Sequence, residues 1–299
     1  LLKSRNEEIV IGGNEPGPTT VSIRKELTGI QYGKVADRIY WMVKLSGYRE
    51  SLVRFSSEGS TSYGVIDGDS IRQITGQPFA EINYSGETFA LADVKLLAPV
   101  EPKKIVLVGL NFASHAAEIH QETPSEPLIF FKPSSAIVAS GEEIVLPHQS
   151  TQVEIEAELT VVIGKRAKNV AKERVGDYIL GYTVANDVTA RDIQFSDLQW
   201  ARSKAFDSFC PVGPWIETDF DPGNKRISST INGETKQDAS TSEMVYSPDF
   251  LISYISQNFT LEPGDIVLTG SPAGISSVVA GDVVQCSIEG IGTLHSFVK

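Results

Sequence analysis

Three glutamates stand two residues apart in Val153-Glu154-Ile155-Glu156-Ala157-Glu158, directly before the apolar run Leu159-Thr-Val-Val-Ile163. Side chains on an extended strand alternate between faces, so Glu154, Glu156 and Glu158 would project together. Neighbouring carboxylates repel one another unless a cation lies among them. A hard divalent ion such as Mg²⁺ or Mn²⁺ takes oxygen ligands and keeps positions open for water, which makes it the economical partner. The plainer alternative is a solvated strand face that carries alternating acids.

Further along, Tyr182-Thr-Val-Ala-Asn-Asp187-Val-Thr-Ala-Arg191-Asp192-Ile-Gln194 puts Asp187 at the end of an apolar strand, where a side chain emerges at the mouth of a site. Thr189 is placed to cap a short helix carrying Arg191 and Gln194 on neighbouring positions, although an ordinary cap and surface charge would use the same residues. The chain has only four histidines. In His115-Ala-Ala-Glu118 the imidazole and carboxylate are neighbours on a helical turn. Such a carboxylate fixes the ring tautomer and raises its basicity, which suits a general base, but a surface ion pair has the same spacing. Lys132 after Leu128-Ile-Phe-Phe131, Lys204 in Arg202-Ser-Lys-Ala-Phe, and Thr269-Gly-Ser-Pro272 are polar residues in apolar settings. Cys210 and Cys286 read as small core side chains.

The elements that must position these residues are mostly strands. Short apolar runs cover 105–108, 159–163, 179–184, 265–269 and 283–288. A helix is expected after Ser247-Pro248, with Phe250, Leu251, Tyr254, Ile255 and Phe259 on one face. Residues 50–97 read as a small β domain with an Asp67-Gly68 hairpin turn. The prolines of Leu97-Ala-Pro-Val-Glu-Pro102 mark a boundary before a second domain over 98–299. Strands and helices do not alternate regularly, which disfavours a doubly wound sheet or a TIM barrel. The expected class is α+β, mainly β.

The 299 residues carry a net charge of −12, which disfavours binding to nucleic acid or to anionic lipid. The first 50 residues carry +2, and the Gly/Pro-rich stretch 1–49 reads as an extension of uncertain order. No apolar run approaches a membrane span. Two cysteines fit a reducing compartment, and no signal-peptide pattern opens the chain. There is no G-x-G-x-x-G after a strand, no Walker A loop, no G-x-S-x-G and no H-E-x-x-H.

Taken in order, these motifs resemble the fumarylacetoacetate hydrolase family over about residues 50–299. The resemblance rests on Val-Gly-Leu-Asn-Phe-Ala-Ser-His115-Ala-Ala-Glu118, Leu-Ile-Phe-Phe-Lys132-Pro, Glu156-Ala-Glu158-Leu, Asn-Asp187-Val-Thr-Ala-Arg-Asp-Ile-Gln194, Lys204-Ala-Phe-Asp and Leu-Thr-Gly-Ser-Pro272. It implies a mixed β-roll catalytic domain behind a small N-terminal β domain, and a homodimer. It implies Mg²⁺ or Mn²⁺ on Glu156, Glu158 and Asp187, with Glu154 outside the set. His115 and Glu118 match the family's lid dyad, with Lys204 as a further catalytic residue. Lys132, Arg191, Gln194 and Thr269 match its substrate-binding positions.

The branch of acylpyruvases, oxaloacetate decarboxylases or tautomerases and 2-hydroxyhepta-2,4-diene-1,7-dioate isomerases looks closer than fumarylacetoacetase itself. The implied substrate is a small 2-oxo or 2,4-dioxo acid, with C–C hydrolysis of an acylpyruvate slightly ahead. The implied compartment is the cytoplasm, or the mitochondrion if the source is eukaryotic. A catalytically silent metal-binding scaffold is the non-enzyme alternative. Phe112, Ile155 and Ile275-Ser-Ser-Val depart from residues frequent in relatives and alter the pocket edge.

Overall fold

The structure, a computed structural model, describes residues 50–299. The extension expected over 1–49 lies outside the described residues. Residues 50–97 form a meander. Strands β1 (Ser51–Ser57), β2 (Ser60–Asp67), β3 (Ser70–Ile74) and β4 (Tyr84–Ala90) pair in succession, and β5 (Lys95–Leu97) returns to β1. Past the prolines the chain enters β6 (Ile105–Gly109), helix α1 (Ala113–Glu118), β7 (Leu128–Lys132) and the short β8 (Ile137–Ala139) and β9 (Glu143–Ile144).

Next come β10 (Val153–Ile155), β11 (Ala157–Ile163), β12 (Ile179–Asn186) and β13 (Thr189–Ala190), then helices α2 (Arg191–Ser196) and α3 (Ala201–Lys204). Strand β14 (Cys210–Glu217) and the hairpin β15 (Arg226–Ile231) and β16 (Glu234–Ser240) lead into α4 (Pro248–Asn258). The chain closes with β17 (Ile266–Leu268), β18 (Ser276–Ser277), β19 (Val283–Ile288) and β20 (Gly292–Val298).

These strands make three sheets, and the fold is α+β, mainly β. The large sheet runs β4-β3-β2-β1-β14-β12-β11-β17-β6-β7, so the N-terminal meander continues through β1 and β14 into the rest of the unit. The second sheet runs β16-β15-β19-β20-β9, and the third is β13-β10-β18. Strand β11 is buried on both faces, which is why it reads as mostly apolar after Glu158, with Thr160 the one polar residue in 159–163. On one face Leu159, Val161 and Ile163 join a core with Val284, Cys286 and Leu294 of the second sheet and Leu251, Ile252 and Ile255 of α4. On the other, Val162 packs with Ile105, Leu107 and Ile266. Each such side chain stabilises the fold by roughly 1.5–3 kcal/mol.

Helix α4 starts with Pro248 in its first turn, where the missing N–H costs nothing. Its buried face is Leu251, Ile252 and Ile255, one position round from the expected stripe. Phe250 and Tyr254 instead stack beside it with Tyr246, because those rings find an aromatic neighbour at the helix flank. Cys210 and Cys286 are buried free thiols, and burial pushes both up to about 12, so they are inert.

Candidate metal centre and active site

Strand order brings distant segments together at one end of the central strands of the large sheet. Strands β11 and β12 are antiparallel, with Ala157 opposite Asn186 and Glu158 opposite Ala185. The start of β11 therefore lies beside the end of β12. Strand β17 is antiparallel to β11, and β6 is parallel to β17, so both end at the same place. Glu156, Glu158, Asp187, the 269–271 turn and the approach to His115 converge there.

Glu156, Glu158 and Asp187 each offer a carboxylate oxygen, and these oxygens lie within 4.8 Å of one another. The three residues are 3 %, 2 % and 1 % exposed, which removes the solvated-face alternative. The single strand expected across the three glutamates is interrupted at Glu156, however. The Glu156 N–H donates to Asn186 Oδ1 at 3.0 Å, and its carbonyl accepts from the Asp187 N–H at 2.9 Å. The break sends Glu154 into the three-stranded sheet, where it faces Arg191. Thr189 does not cap α2 either. Its hydroxyl donates to the Asp187 carbonyl at 3.1 Å, and Ala190 occupies the cap position without a side-chain bond.

Three cations are buried against these acids. Lys204 Nζ donates to Glu156 Oε2 at 2.9 Å and to Asp187 Oδ2. Arg191 donates to Glu154 Oε2 at 2.7 Å, to Glu156 Oε1 and to Gln194 Oε1. Lys132 Nζ lies 2.8 Å from Asp187 Oδ1 and donates to the carbonyls of Val188 and Lys204 at 2.9 and 2.6 Å. Burial alone would raise the Glu156 carboxyl, but Lys204, Arg191 and His115 outweigh it and hold it well below the usual carboxylate range. Burial would lower Lys204, but Asp187 and Glu156 outweigh it and raise it.

Glu158 is the member with the least compensation. Burial and the charges of Asp187 and Glu156 push its carboxyl well above the usual range, against one hydrogen bond from the Gly270 N–H at 2.6 Å and the charge of Lys204. Asp187 Oδ1 is buried and meets the Lys132 ammonium at 2.8 Å as an ion pair. Glu154, Glu156, Glu158 and Asp187 outnumber Lys132, Arg191 and Lys204. A hard divalent cation answers the excess charge with an all-oxygen donor set, so the residues present fit one. Gly270 is required here: its φ is +96°, and a Cβ would come within 2.7 Å of Asn111 Cβ.

The dyad is formed. His115 Nδ1 lies 3.2 Å from Glu118 Oε2 on α1, which leaves Nε2 as the available ring nitrogen. Glu118 Oε1 also accepts the Gly274 N–H at 2.9 Å and so ties α1 to the turn after β17. His115, Glu156, Glu158, Asp187, Arg191, Gln194 and Lys204 all line one cavity of about 20 Å³. Val108, Leu110, Ile119, Phe130 and Trp200 form an apolar part of its wall. Phe130 and Trp200 meet edge to face at 5.2 Å, and Lys204 Nζ stands 5.2 Å from the Phe130 ring.

Two expected substrate contacts sit elsewhere. The Thr269 hydroxyl donates to the Leu159 carbonyl at 2.8 Å and is not on the cavity wall, because β17 turns it back into the sheet. Lys132 lies behind Asp187 with its ammonium already committed. Conversely, Ser271 lines the cavity, held by Gln237 Nε2 at 2.7 Å. The Thr-Gly-Ser-Pro motif hinted at Ser271, but nothing in the polar strand around Gln237 marked that residue. Lys132→Met should therefore raise the KM for substrate little, while lowering stability by about 1–3 kcal/mol, because Asp187 keeps Lys204 but loses its second cation and the Val188 and Lys204 carbonyls lose their donor. Thermal melts beside steady-state kinetics check this; a large KM effect in a protein of unchanged Tm contradicts it.

This fold and this buried acidic site define the class: the chain belongs to the fumarylacetoacetate hydrolase family. Residues 104–299 match the family model described as Fumarylacetoacetate (FAA) hydrolase C-terminal, and residues 51–99 match that described as Rv2993c-like, N-terminal. Protein Rv2993c of Mycobacterium tuberculosis is 44 % identical over 251 residues, covering 81 % of this chain and 95 % of that protein. The rat mitochondrial oxaloacetate tautomerase Fahd2a is 39 % identical over 257 residues, covering 82 % of this chain and 78 % of that one. The crystal structure of a 2-hydroxyhepta-2,4-diene-1,7-dioate isomerase from Mycobacterium marinum superposes with a TM-score of 0.78 at 43 % identity, covering 83 % and 98 % of the two chains.

Proposed function

We propose that this protein is a Mg²⁺- or Mn²⁺-dependent enzyme acting on 2-oxo and 2,4-dioxo carboxylic acids, its leading reaction the hydrolytic C–C cleavage of an acylpyruvate. The observation that carries this reading is the convergence of the three carboxylates, Lys204, Gln194 and the His115–Glu118 dyad on one cavity. Glu156, Glu158 and Asp187 would hold the cation, which when bound supplies a Lewis acid for the oxygens of a 2-oxo acid.

The chain's own residues supply the rest. Glu118 fixes the His115 tautomer, and His115 Nε2 takes a proton from the water that attacks the C4 carbonyl. The new C4–O bond forms, the C3–C4 bond breaks, and its electron pair leaves as the enolate of pyruvate. That enolate takes the proton back at C3. Lys204 and Gln194 donate toward the oxygens on which charge develops. The apolar wall suits the acyl substituent beyond C4.

The second reading is tautomerisation or decarboxylation of oxaloacetate, or isomerisation of a hydroxy-diene dioate. It is favoured by the names of the relatives, and tautomerisation needs only proton transfer by the dyad. A homodimer in a reducing compartment, the cytoplasm or the mitochondrion, completes the proposal. Among the described residues no helix is long and apolar enough to cross a membrane.

A panel of acylpyruvates, oxaloacetate and a hydroxy-diene dioate, each assayed with Mg²⁺ or Mn²⁺, tests the reading. Pyruvate release from acylpyruvates supports it. Turnover confined to oxaloacetate or the dioate moves the assignment to the second reading. Inactivity on every 2-oxo acid leaves a silent scaffold.

A further inference from the structure

Glu154 is a buried carboxylate that the proposed chemistry does not use. It is 6 % exposed and sits on β10, paired through its backbone to Thr189 and Ser277. Its Oε1 accepts from Gln152 Nε2 at 2.7 Å and from Ser277 Oγ at 3.4 Å, and its Oε2 accepts from Arg191 Nε at 2.7 Å. Arg191 is thereby clamped between two glutamates of opposite duty, with its outer nitrogens on Glu156 and on Gln194 Oε1.

This arrangement has two consequences. A buried guanidinium needs compensating charge, and with Glu154 supplying one carboxylate, Glu156 is not its sole anion. Glu156 keeps charge density for a cation. With Gln194 Oε1 occupied by an Arg191 N–H, the amide nitrogen of Gln194 has no partner among the described residues, and Gln194 lines the cavity. The network thus sets which end of the amide is turned toward substrate, and it is the donor end.

We propose that Glu154 is a positioning residue that acts through Arg191. It holds Gln194 as a hydrogen-bond donor to the substrate and tempers the pull of Arg191 on the metal ligand Glu156. The proposal rests on the metal reading above and names no new ligand. It predicts that losing the charge of Glu154 concentrates Arg191 on Glu156, so that Arg191 competes with the cation and frees the Gln194 amide to rotate.

The test uses Glu154→Gln, which keeps the shape and an acceptor oxygen for Arg191 while removing the charge. Glu154→Asp, which restores the charge one methylene short, is the conservative comparison. Mn²⁺ binding is followed by calorimetry on the full chain, with no substrate present. Glu154→Gln should weaken the Mn²⁺ Kd about tenfold and lower kcat by at least a similar factor, with Glu154→Asp between it and the parent. The parent, Glu154→Gln, Gln194→Ala and the double variant form a cycle in kcat. If Glu154 works through Gln194, the two losses are far from additive.

Full additivity, or a Glu154→Gln protein with the parent's Kd and kcat, overturns the relay alone. A parent protein that takes up no Mn²⁺ overturns the metal reading and the relay with it. Circular dichroism of each variant separates these results from loss of fold.

Discussion

Stripping this protein of divalent cations should lower turnover of an acylpyruvate by at least about a thousandfold, and Mg²⁺ or Mn²⁺ should restore it. The size follows from the several kcal/mol that a Lewis acid contributes where charge develops, each 1.36 kcal/mol being tenfold in rate. The same treatment should lower the Tm. Saturation at about a hundred times Kd stabilises a native state by roughly 2.7 kcal/mol, which for a chain of this size is about 5–10 °C.

The shift should also depend on pH with a definite sign. The Glu158 carboxyl is raised above its ordinary 4.5 in the folded chain, by burial first and then by Asp187 and Glu156. The metal-free folded state therefore binds more protons than the unfolded state from about pH 4.5 up to that raised value. Across that window the metal-free protein loses stability as pH rises. A bound cation removes the penalty, so the gain in Tm on adding Mn²⁺ should grow with pH. A chelated protein of undiminished activity and Tm would falsify the assignment of Glu156, Glu158 and Asp187 as ligands.

Replacing His115 by Ala should separate the reactions that one site supports. Hydrolysis of an acylpyruvate needs a base to activate water, and losing a positioned base costs about 10²–10⁴ in kcat. Decarboxylation of oxaloacetate needs no attacking water and should survive or rise in the same variant. Glu118→Gln should fall between, because it weakens the hold on the ring tautomer but keeps an acceptor for the Gly274 N–H. Parallel assays of pyruvate from an acylpyruvate and CO₂ from oxaloacetate decide the point. Equal losses in both would assign His115 to substrate binding or to the lid instead of to water activation.

Much of the site was legible in the residues. Period-2 acids before an apolar run, an Asp at a strand end and a His/Glu pair one helical turn apart each follow from local geometry. The core strands were legible for the same reason: β11 and most of β12 are buried on both faces and show it as largely apolar sequence. The helix face of α4 was less so, since Phe250 and Tyr254 satisfy an apolar period by stacking with Tyr246 and not by entering the core.

By itself the sequence determined the class, the strand-rich architecture and the three carboxylates, because periodicity and short spacings act within a few residues of chain. Tertiary structure decided which charge answers which. It broke the acidic strand at Glu156, turned Glu154 to Arg191, spent Lys132 on Asp187 and two carbonyls, and returned Thr269 to the Leu159 carbonyl. Those pairings join residues far apart in the chain. In a buried setting each polar group must find its partner among whatever the strand order brings alongside, and no local pattern records that order.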